Sequence, residues 1–408
     1  AIRVRAVRRA AAADMRGALA AKGDEAPGSA ASPARTSTEA GRGAENGDGR
    51  MIHVILGTKA QLIKMAPVMV RMNQRGLPYR FIYTGQHRAT MDEMLDEFEL
   101  KKPDVVLYDG ADIVSVPQML FWVLRILGRT AIGRRSIFGN DRGGIVLVHG
   151  DTLSTLLGAL MGRVAGLRVG HVESGLRSFN LLHPFPEELT RLITFRLSHT
   201  LYCPGQWAVD NVARLKREKV DTRSNTMSDS LAMALQMGRR RDHVPDQPFG
   251  LVSLHRYENI FRREVFEALI GHVEAIAQHR LLLCVMHPPT DRQLRRYGFY
   301  DRLDRNPKIE LRPRYTYFDF VSLMEAADFV ITDGGSIQEE SSYLGIPCLL
   351  MRGATEREEG LGRNVVLSRY DPRIINDFVK GFQRYRSPPV SDQLCPSDII
   401  IDSAMQYA

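Results

Sequence analysis

The chain has 408 residues, of which 44% are hydrophobic and 25% are charged, so it carries enough apolar side chains for a large core. This balance excludes fibrous and wholly disordered proteins, and the length predicts two or three domains. The formal net charge is +8, from 55 Lys and Arg against 47 Asp and Glu. Such a small excess suits a phosphate-bearing small molecule, and the aromatic-rich basic stripe typical of nucleic-acid binding is missing. We therefore expect no nucleic-acid partner.

The first 50 residues are rich in Ala, Arg and Gly, and the composition switches abruptly to MIHVILG at Met51. A segment with so few large apolar residues cannot bury enough surface to offset the entropy lost on ordering. We predict that residues 1–50 form a disordered or leader extension outside the fold. A targeting segment is the alternative, because four arginines precede an alanine run.

From Met51 onward, strand-like and helix-like segments alternate. The strand-like segments of the first series are IHVILG, YRFIYTG, GIVLVHGD, RVGHVES and TLYC. The pattern restarts after Asn225 with FGLVSLHR, RLLLCVMH, DFVITDGGS and IPCLLM. Such alternation indicates parallel sheets covered by helices on both faces. The sequence therefore predicts an α/β protein with doubly wound, Rossmann-like domains at 51–225 and 226–386, and a segment, 387–408, that packs back on the first domain.

A strongly apolar helix is predicted from about Val114 to Arg129. No run of about 18 uninterrupted apolar residues occurs, so we expect no stable membrane span. The helix has more apolar side chains than one buried face needs, which predicts part of a homodimer interface. Association with an anionic membrane surface is the alternative, because arginines lie among and after the apolar residues. The apolar residues are Met119, Leu120, Trp122, Val123, Ile126 and Leu127, and the arginines are Arg125, Arg129, Arg134 and Arg135.

Polar residues follow several predicted strands, where ligands bind to sheets of this kind. Side chains alternate along a strand, so His149 and Asp151 share one face, as do His171 and Glu173. Two carboxylates then face one crevice. The structural alternatives are that Asp151 caps the following helix and that Glu173 pairs with Arg177.

Two further segments carry candidate catalytic groups. Glu187 and Glu188 follow two prolines at the start of a predicted helix, where the helix dipole favours acidic residues. That explanation accounts for one glutamate and leaves the other free to face a substrate. His255 ends the predicted strand FGLVSL and is either a catalytic group or a satisfied structural histidine.

The segment DFVITDGGSIQEESSYLG predicts an anion site, because a strand, two glycines and a helix start bring free backbone N–H groups to a ligand. An ordinary tight turn is the alternative for Gly334 and Gly335. Glu340 lies about one turn into the helix and is placed to bind a ribose diol, although the QEE run can simply be solvated. Lys59 and Lys64 can neutralise phosphate, and Lys64 can equally extend along a helix face into solvent.

The motifs GTKAQLIKMAP, TGQHR, VHGDTLST, GHVESGLRS, PFPEE, HRYEN, TDGGSIQEESSYLGIP and MRGATERE resemble those of the UDP-N-acetylglucosamine 2-epimerase family. The resemblance covers nearly everything from Met51 to the C-terminus. It implies a glycosyltransferase-B-like architecture, with two Rossmann-like domains and the active site in the cleft between them. It also implies a dimeric, cytoplasmic enzyme that uses no metal and no cofactor.

By that resemblance the enzyme interconverts UDP-GlcNAc and UDP-ManNAc through elimination of UDP to a 2-acetamidoglucal and its re-addition. The weakly acidic C2 proton requires a positioned base and stabilisation of the departing diphosphate. The positions that match catalytic residues are Asp151, Glu173, Glu187 and His255. The implied substrate-binding residues are Lys59, Lys64, Arg177, Gly334, Gly335, Ser336 and Glu340. A second, regulatory UDP-GlcNAc site is implied at Gln86, His87, Arg88 and His287.

The chain departs from the family pattern in three places. This chain has GTKAQ where the family has GTRPE. Lys59 therefore replaces an arginine that could bind phosphate through two hydrogen bonds, and Gln61 replaces a glutamate. This chain has HRYEN where the family has HRREN, which places Tyr257 where an arginine is usual. This chain has TDGGS where the family has TDSGG, which moves the serine to position 336. These changes bear on substrate preference more than on fold.

Three other functions share much of this pattern. A hydrolysing relative that releases ManNAc and UDP would use nearly the same carboxylates. A glycosyltransferase-B-type transferase would need an acceptor site and leave the three carboxylates without a role. A non-catalytic nucleotide-sugar-binding protein would fit the altered phosphate-binding residues. The four cysteines lie far apart in the sequence, with no Cys-x-x-Cys pair, so we expect neither a disulfide framework nor a metal site.

Overall fold

A computed structural model describes most of the chain from residue 50 onward. The described residues are 50–85, 91–110, 116–180, 186–237, 242–355, 357–390 and 395–408. They belong to a compact unit, Ala44–Ala408. The prediction of a disordered or leader extension therefore falls almost wholly outside the described residues.

Seven parallel strands form the first sheet, in the order β3-β2-β1-β4-β5-β6-β7. The strands are β1 (Ile52–Leu56), β2 (Tyr79–Tyr83), β3 (Val105–Val106), β4 (Ile145–His149), β5 (Arg168–Val172), β6 (Thr200–Cys203) and β7 (Glu218–Asp221). The strand order reverses between β1 and β4, so the connections leave the sheet in opposite directions there. In sheets of this topology that point opens the crevice that binds ligands.

The helices of this layer lie between the strands, as the alternating pattern predicts. They are α1 (Lys59–Gln74), α2 (Met91–Glu97), α3 (Val116–Ile132), α4 (Arg134–Phe138), α5 (Leu153–Val164), α6 (Glu187–Leu197), α7 (Gln206–Asn211) and α8 (Met227–Met237). Thr152 caps α5 by accepting a hydrogen bond from the Thr155 N–H. The alternative role of Asp151 as that cap is therefore wrong, and its carboxylate is available for other contacts.

Six parallel strands form the second sheet, in the order β10-β9-β8-β11-β12-β13. The strands are β8 (Phe249–Ser253), β9 (Leu281–Val285), β10 (Ile309–Arg312), β11 (Phe329–Thr332), β12 (Cys348–Leu350) and β13 (Val365–Leu367). The remaining helices are α9 (Tyr257–Ile260), α10 (Arg263–Ala277), α11 (Pro288–Tyr297), α12 (Tyr300–Asp304), α13 (Tyr317–Ala326), α14 (Gly335–Leu344), α15 (Pro372–Gly381) and α16 (Pro396–Ala404), with 3₁₀ turns at Phe382–Tyr385 and Met405–Tyr407. Here too the strand order reverses, between β8 and β11.

The last helix, α16, packs on α1 and α8 beside the first sheet. Arg75 and Asp402 form an ion pair at 2.6 Å, and the Tyr202 hydroxyl lies 3.2 Å from the Ser403 hydroxyl. The Ser397 N–H donates to Asp229 at 2.9 Å. These contacts hold α16 against the end of α1, strand β6 and α8.

Helix α3 corrects the predicted assignment of its apolar residues. Trp122 and Ile126 are fully buried, and the Trp122 indole N–H donates to the Thr84 carbonyl at 3.1 Å, so neither residue lies on an outer face. Three other side chains, Leu120, Phe121 and Leu124, are each about three-fifths exposed. Among the helices that the structure describes, α3 included, none is long and apolar enough to cross a membrane.

Candidate active site

The polar residues predicted at the strand ends lie at the carboxyl edges of the two sheets. The first sheet contributes Asp151 after β4 and Glu173 after β5. The second contributes His255 after β8 and the segment 333–336 after β11. Ion pairs from Lys64 and Arg357 join Glu173 at the first edge to Glu339 of the helix that follows β11.

Four buried charged groups of alternating sign connect the two sheets, and we call Lys64, Glu173, Arg357 and Glu339 the ionic quartet. The Lys64 ammonium donates to Glu173 and lies 3.4 Å from Glu339 Oε2. The Arg357 guanidinium reaches Glu173 Oε1 at 3.2 Å and Glu339 Oε2 at 2.9 Å. Each charge thus has two opposite neighbours, which offsets the cost of removing all four from water. Lys64 does not extend into solvent, so that alternative is wrong.

The Glu173 carboxylate is fixed in position and in its charged form. Its backbone has a φ of 63°, a left-handed conformation that is uncommon for a residue with a side chain. Asn225 donates to the same Glu173 oxygen at 2.5 Å. Although burial raises the pKa of Glu173, Lys64 and Arg357 outweigh it and hold that pKa well below its usual range. Glu173 is therefore a fixed carboxylate anion.

His149 lies beside this anion without neutralising it. Its Nε2 atom is 3.7 Å from Glu173 Oε2, too far for a hydrogen bond. Complete burial lowers the pKa of His149 to about 3, so the ring is neutral at physiological pH. The second oxygen of Glu173 consequently faces a neutral ring, while the first accepts three donors.

A second chain of charges runs along helix α6. Arg177 donates to Glu188 Oε1 at 2.5 Å, and Arg191 lies 3.3 Å from Glu188 Oε2. Arg191 also donates to Asp151 Oδ2 at 2.5 Å. The predicted alternative, an ion pair between Glu173 and Arg177, is wrong because Arg177 is paired with Glu188. We call these four residues the arginine chain.

Glu187 and Glu188 differ in their contacts. Glu188 is fully buried between two arginines and is a structural anion. Glu187 Oε2 is also buried, yet it has no hydrogen-bond partner in the described part of the chain. Residues four apart share a helix face, so Glu187 lies on the same side of α6 as Arg191 and Asp151.

The backbone at His255 is held by a buried carboxylate at the edge of the second sheet. Asp333 accepts from the backbone N–H groups of His255 at 2.9 Å and Arg256 at 3.1 Å, and from the Asn259 amide at 2.9 Å. Burial lowers the pKa of His255, opposed by the Asp333 charge. A Cβ atom at Gly334 would lie 2.8 Å from the His255 ring. Glycine at position 334 therefore leaves room for the imidazole where it lies.

The amino end of α14 faces this histidine. The first N–H groups of a helix have no partners within it, so Gly335 and Ser336 present donors suited to an anion. The Gly334 N–H, in contrast, donates to the Thr332 hydroxyl at 3.0 Å. The diphosphate site predicted for this turn therefore rests on Gly335 and Ser336 more than on Gly334.

The QEE run of α14 is buried, which contradicts the alternative of a solvated first turn. Gln338, Glu339 and Glu340 are all at most 3% exposed. Burial and the neighbouring Glu339 charge raise the pKa of Glu340 to about 8, opposed by the charge of Lys64. Glu340 is thus largely protonated at neutral pH and can donate a hydrogen bond as well as accept one.

A group of basic side chains lies near His255. The His287 ring lies against the His255 ring, with the centroids 4.6 Å apart and the ring planes tilted by 37°, and its Nε2 lies 3.1 Å from the Ser253 hydroxyl. Burial, with the charges of His255, Arg314 and Lys59, lowers the pKa of His287 to about 3. Burial and Arg314 also lower the pKa of Lys59 to about 8. The predicted regulatory residues Gln86, His87 and Arg88 lie outside the described residues.

The unusual residue Gln61 has a local structural explanation. Its side-chain oxygen accepts from the N–H groups of Gly57 and Thr58, at 2.9 and 3.1 Å. Its amide donates to the His149 carbonyl at 2.7 Å and to the Thr155 hydroxyl at 2.9 Å. An ionised glutamate could accept the first two hydrogen bonds but could not donate the last two. The glutamine therefore ties β1 to the turn that carries Asp151.

Sequence analysis missed several groups that complete the site. These groups are Arg191, Arg357, Glu339, Asn225 and Asp333. Arg191 lies one helical turn after Glu187, a spacing that could have identified it. Arg357 belongs to the GATERE motif, which carried the family resemblance without a role. No cluster of three or more metal-ligating side chains was found where the structure describes the chain.

Comparison with known proteins places this chain in a family. The sequence model of a family described as UDP-N-acetylglucosamine 2-epimerase matches residues 71–387. The chain is 30% identical over 344 residues to the UDP-N-acetylglucosamine 2-epimerase of Methanococcus maripaludis, which spans 81% of this chain and 90% of the relative. It is also 30% identical over 330 residues to the UDP-2,3-diacetamido-2,3-dideoxy-D-glucuronate 2-epimerase of Pseudomonas aeruginosa, spanning 78% and 88% of the two chains.

A solved structure agrees with these sequence matches. The UDP-GlcNAc 2-epimerase from Neisseria meningitidis, bound to UDP-GlcNAc, superposes with a TM-score of 0.74 at 25% identity, over 87% of this chain and all of that one. The two parallel sheets with their helices confirm the predicted α/β, glycosyltransferase-B-like fold class. The chain belongs to the UDP-N-acetylglucosamine 2-epimerase family.

Proposed function

We propose that this protein interconverts UDP-GlcNAc and UDP-ManNAc by eliminating UDP and adding it back to a 2-acetamidoglucal. The observation that carries the proposal is that Asp151 and Glu173 follow the adjacent strands β4 and β5, and that Glu173 is joined through the ionic quartet to the second sheet. Inversion at C2 needs proton transfer on two faces of the sugar and a site for the departing diphosphate. Family membership and this grouping together favour an epimerase over a transferase.

The three carboxylates have different roles in this proposal. Asp151 and Glu187 exchange protons with the substrate, because Glu187 has an oxygen without a partner and Asp151 keeps about three-tenths of its side chain exposed. Glu173 remains ionised and positions Lys64 and Arg357. His255 and the amino end of α14 stabilise the diphosphate as it leaves, and Glu340 binds the ribose.

Proton NMR of the anomeric signals in D2O, after incubation with UDP-GlcNAc, tests the proposal directly. The expected product is UDP-ManNAc with deuterium at C2, because the C2 proton is lost and returned. Free ManNAc with UDP would instead identify the hydrolysing reaction, and net turnover without deuterium would reject the elimination route. The Pseudomonas aeruginosa relative is equally similar at 30% identity, so UDP-2,3-diacetamido-2,3-dideoxy-D-glucuronate should be assayed in parallel.

Lys59 gives the proposed diphosphate site a dependence on pH. Its pKa is lowered to about 8 by burial and by Arg314, so the ammonium loses its proton as the pH rises through 8. The affinity for UDP should therefore fall about tenfold between pH 7 and pH 9, the effect of losing one charged hydrogen bond.

The variant Lys59→Arg supplies the control for this effect, since a guanidinium keeps its charge over the whole range. Isothermal titration calorimetry of both proteins should show a fall in UDP affinity for the wild type and a nearly flat profile for the arginine variant. Parallel profiles would mean that Lys59 does not contact the diphosphate.

We further propose that the protein is a homodimer that associates through α3. Leu120, Phe121 and Leu124 leave an apolar surface that an aqueous monomer would expose. Arg129 donates to the carbonyl groups of Val106 and Leu107, so it is not free to bind a lipid headgroup. A second protein copy fits this face better than a membrane surface. The cytoplasmic location stays a prediction.

Replacing both Phe121 and Leu124 by glutamate should convert the dimer to a monomer in sedimentation velocity, because charges would be buried at the interface. Val164→Glu is the matched control, since Val164 is equally exposed but lies on α5. It should leave the dimer intact. A monomeric wild type that binds anionic vesicles in low salt would support the membrane alternative instead.

A further inference from the structure

A cavity of about 440 Å³ lies on the face of α6 next to the one that carries Glu187 and Arg191. Its apolar wall is formed by Leu192 and Phe195 of α6 and by Val212 and Leu215, which follow α7. This volume is within the range of small-molecule sites, about 300 to 1,000 Å³. The cavity can therefore hold a compact organic molecule beside, and distinct from, the proposed sugar site.

The polar part of this cavity is mostly cationic. Arg177, Arg196 and Arg214 line it, against one carboxylate, Asp210, which already accepts a hydrogen bond from Gln206 at 2.8 Å. Arg214 is exposed, and no hydrogen bond or ion pair joins its guanidinium to another residue that the structure describes. An anion would satisfy its donors, and the apolar wall would cover the rest of the ligand.

Phe179 adds an aromatic ring to the rim. It is 69% exposed, and its backbone adopts a φ of 57°, a conformation that costs free energy in a residue with a side chain. The Arg177 guanidinium lies 4.7 Å from the centre of the Phe179 ring. Such a pair of a flat cation and an aromatic face suits a planar, apolar anion.

The arginine chain connects this cavity to the proposed catalytic group. Arg177 is shared between the cavity wall and Glu188, and Glu188 is in turn shared with Arg191, which binds Asp151. An anion in the cavity would compete with Glu188 for Arg177. Since Glu188 is fully buried, its carboxylate would then need Arg191 as its counter-ion. Asp151 would lose the contact with Arg191 that positions it.

We propose that this cavity is a regulatory site for a small organic anion with an aromatic or aliphatic body, and that its occupant inhibits the enzyme through Arg177, Glu188 and Arg191. The binding half of this inference stands without the proposed function, whereas the inhibition half rests on it. The ligand class follows from three guanidinium groups set against an apolar wall.

Titration calorimetry with 1-naphthoate tests the binding half, with 1-naphthamide and acetate as probes that lack the charge or the apolar body. We expect 1-naphthoate to bind wild-type protein, also in the presence of saturating UDP, and both other probes to bind at least about tenfold more weakly. Arg214→Ala should weaken 1-naphthoate binding by about tenfold. Lys216→Ala, which removes a charge from the same segment outside the cavity, should bind as the wild type does.

The inhibition half is tested by turnover with and without 1-naphthoate. We expect the turnover number of the wild type to fall about fivefold or more at saturating probe, a usual size for coupling between sites. In Arg214→Ala the same probe concentration should inhibit far less. The site would be overturned if 1-naphthoate did not bind, if it bound equally to Arg214→Ala and Lys216→Ala, or if UDP displaced it. Binding without inhibition would overturn the regulatory role. Failure of the proposed reaction would leave the binding results intact.

Discussion

The variant Asp151→Asn should lower the turnover number about 100-fold or more while leaving the thermal midpoint of unfolding nearly unchanged. An amide cannot exchange a proton with substrate at neutral pH, and a lost acid or base group costs about this much. The fold should tolerate the change, because Asp151 is partly exposed and its amide oxygen can still accept from Arg191. The measurements are steady-state turnover by NMR and a thermal melt.

A second aspartate at the edge of the same sheet provides the control. Asp221 ends β7 and accepts a hydrogen bond from the Arg223 N–H, far along the sheet from β4. Asp221→Asn should keep wild-type turnover. Wild-type turnover in Asp151→Asn as well would return Asp151 to a structural role beside Arg191, and Glu187 would be left as the carboxylate that exchanges protons.

The sequence predicts the fold well because the relevant signals are local. Strands such as β1 and β4 are short apolar runs followed by glycine or a polar residue, and the helices after them have their own caps, as with Thr58 and Gln61 at α1. The carboxyl ends of parallel strands meet at one edge, so Asp151 and Glu173 can be assigned to the same crevice before their contacts are known.

The contacts within the site are less predictable because they join distant residues. Arg357 and Glu173 are 184 residues apart, and no local pattern pairs them. The QEE run shows the same limit: its spacing fits a solvated helix start, yet Lys64, Arg357 and Tyr317 bury it. In α3, the sequence identifies an apolar helix but not which side Trp122 takes.

The structure also separates carboxylates that the family resemblance treats alike. Glu173 is buried, tied to two cations and held in the ionised form. Glu187 has an oxygen without a partner among the described residues, and Asp151 reaches solvent. A group whose pKa is held far below neutrality is a weak base, so Glu173 is better suited to fixing the site than to exchanging protons.

Glu173→Gln should therefore lower stability as well as turnover, in contrast to Asp151→Asn. Without this carboxylate, Lys64 and Arg357 lie close together in a buried site with too little negative charge between them. Breaking a buried ion pair from one side costs about 3 to 5 kcal/mol, and the free energy of unfolding, measured by urea denaturation, should fall by about 3 kcal/mol.

The double variant Glu173→Gln with Arg357→Gln separates this explanation from a general packing defect. Removing the second charge relieves the repulsion of Lys64, so the double variant should lose less stability than the sum of the two single variants, with a coupling of about 1 kcal/mol or more. Turnover should stay low in both proteins that lack the Glu173 carboxylate, because Lys64 has lost its hydrogen-bond partner there. An unchanged free energy of unfolding in Glu173→Gln, with turnover still reduced about 100-fold, would instead assign the proton transfer to Glu173 itself.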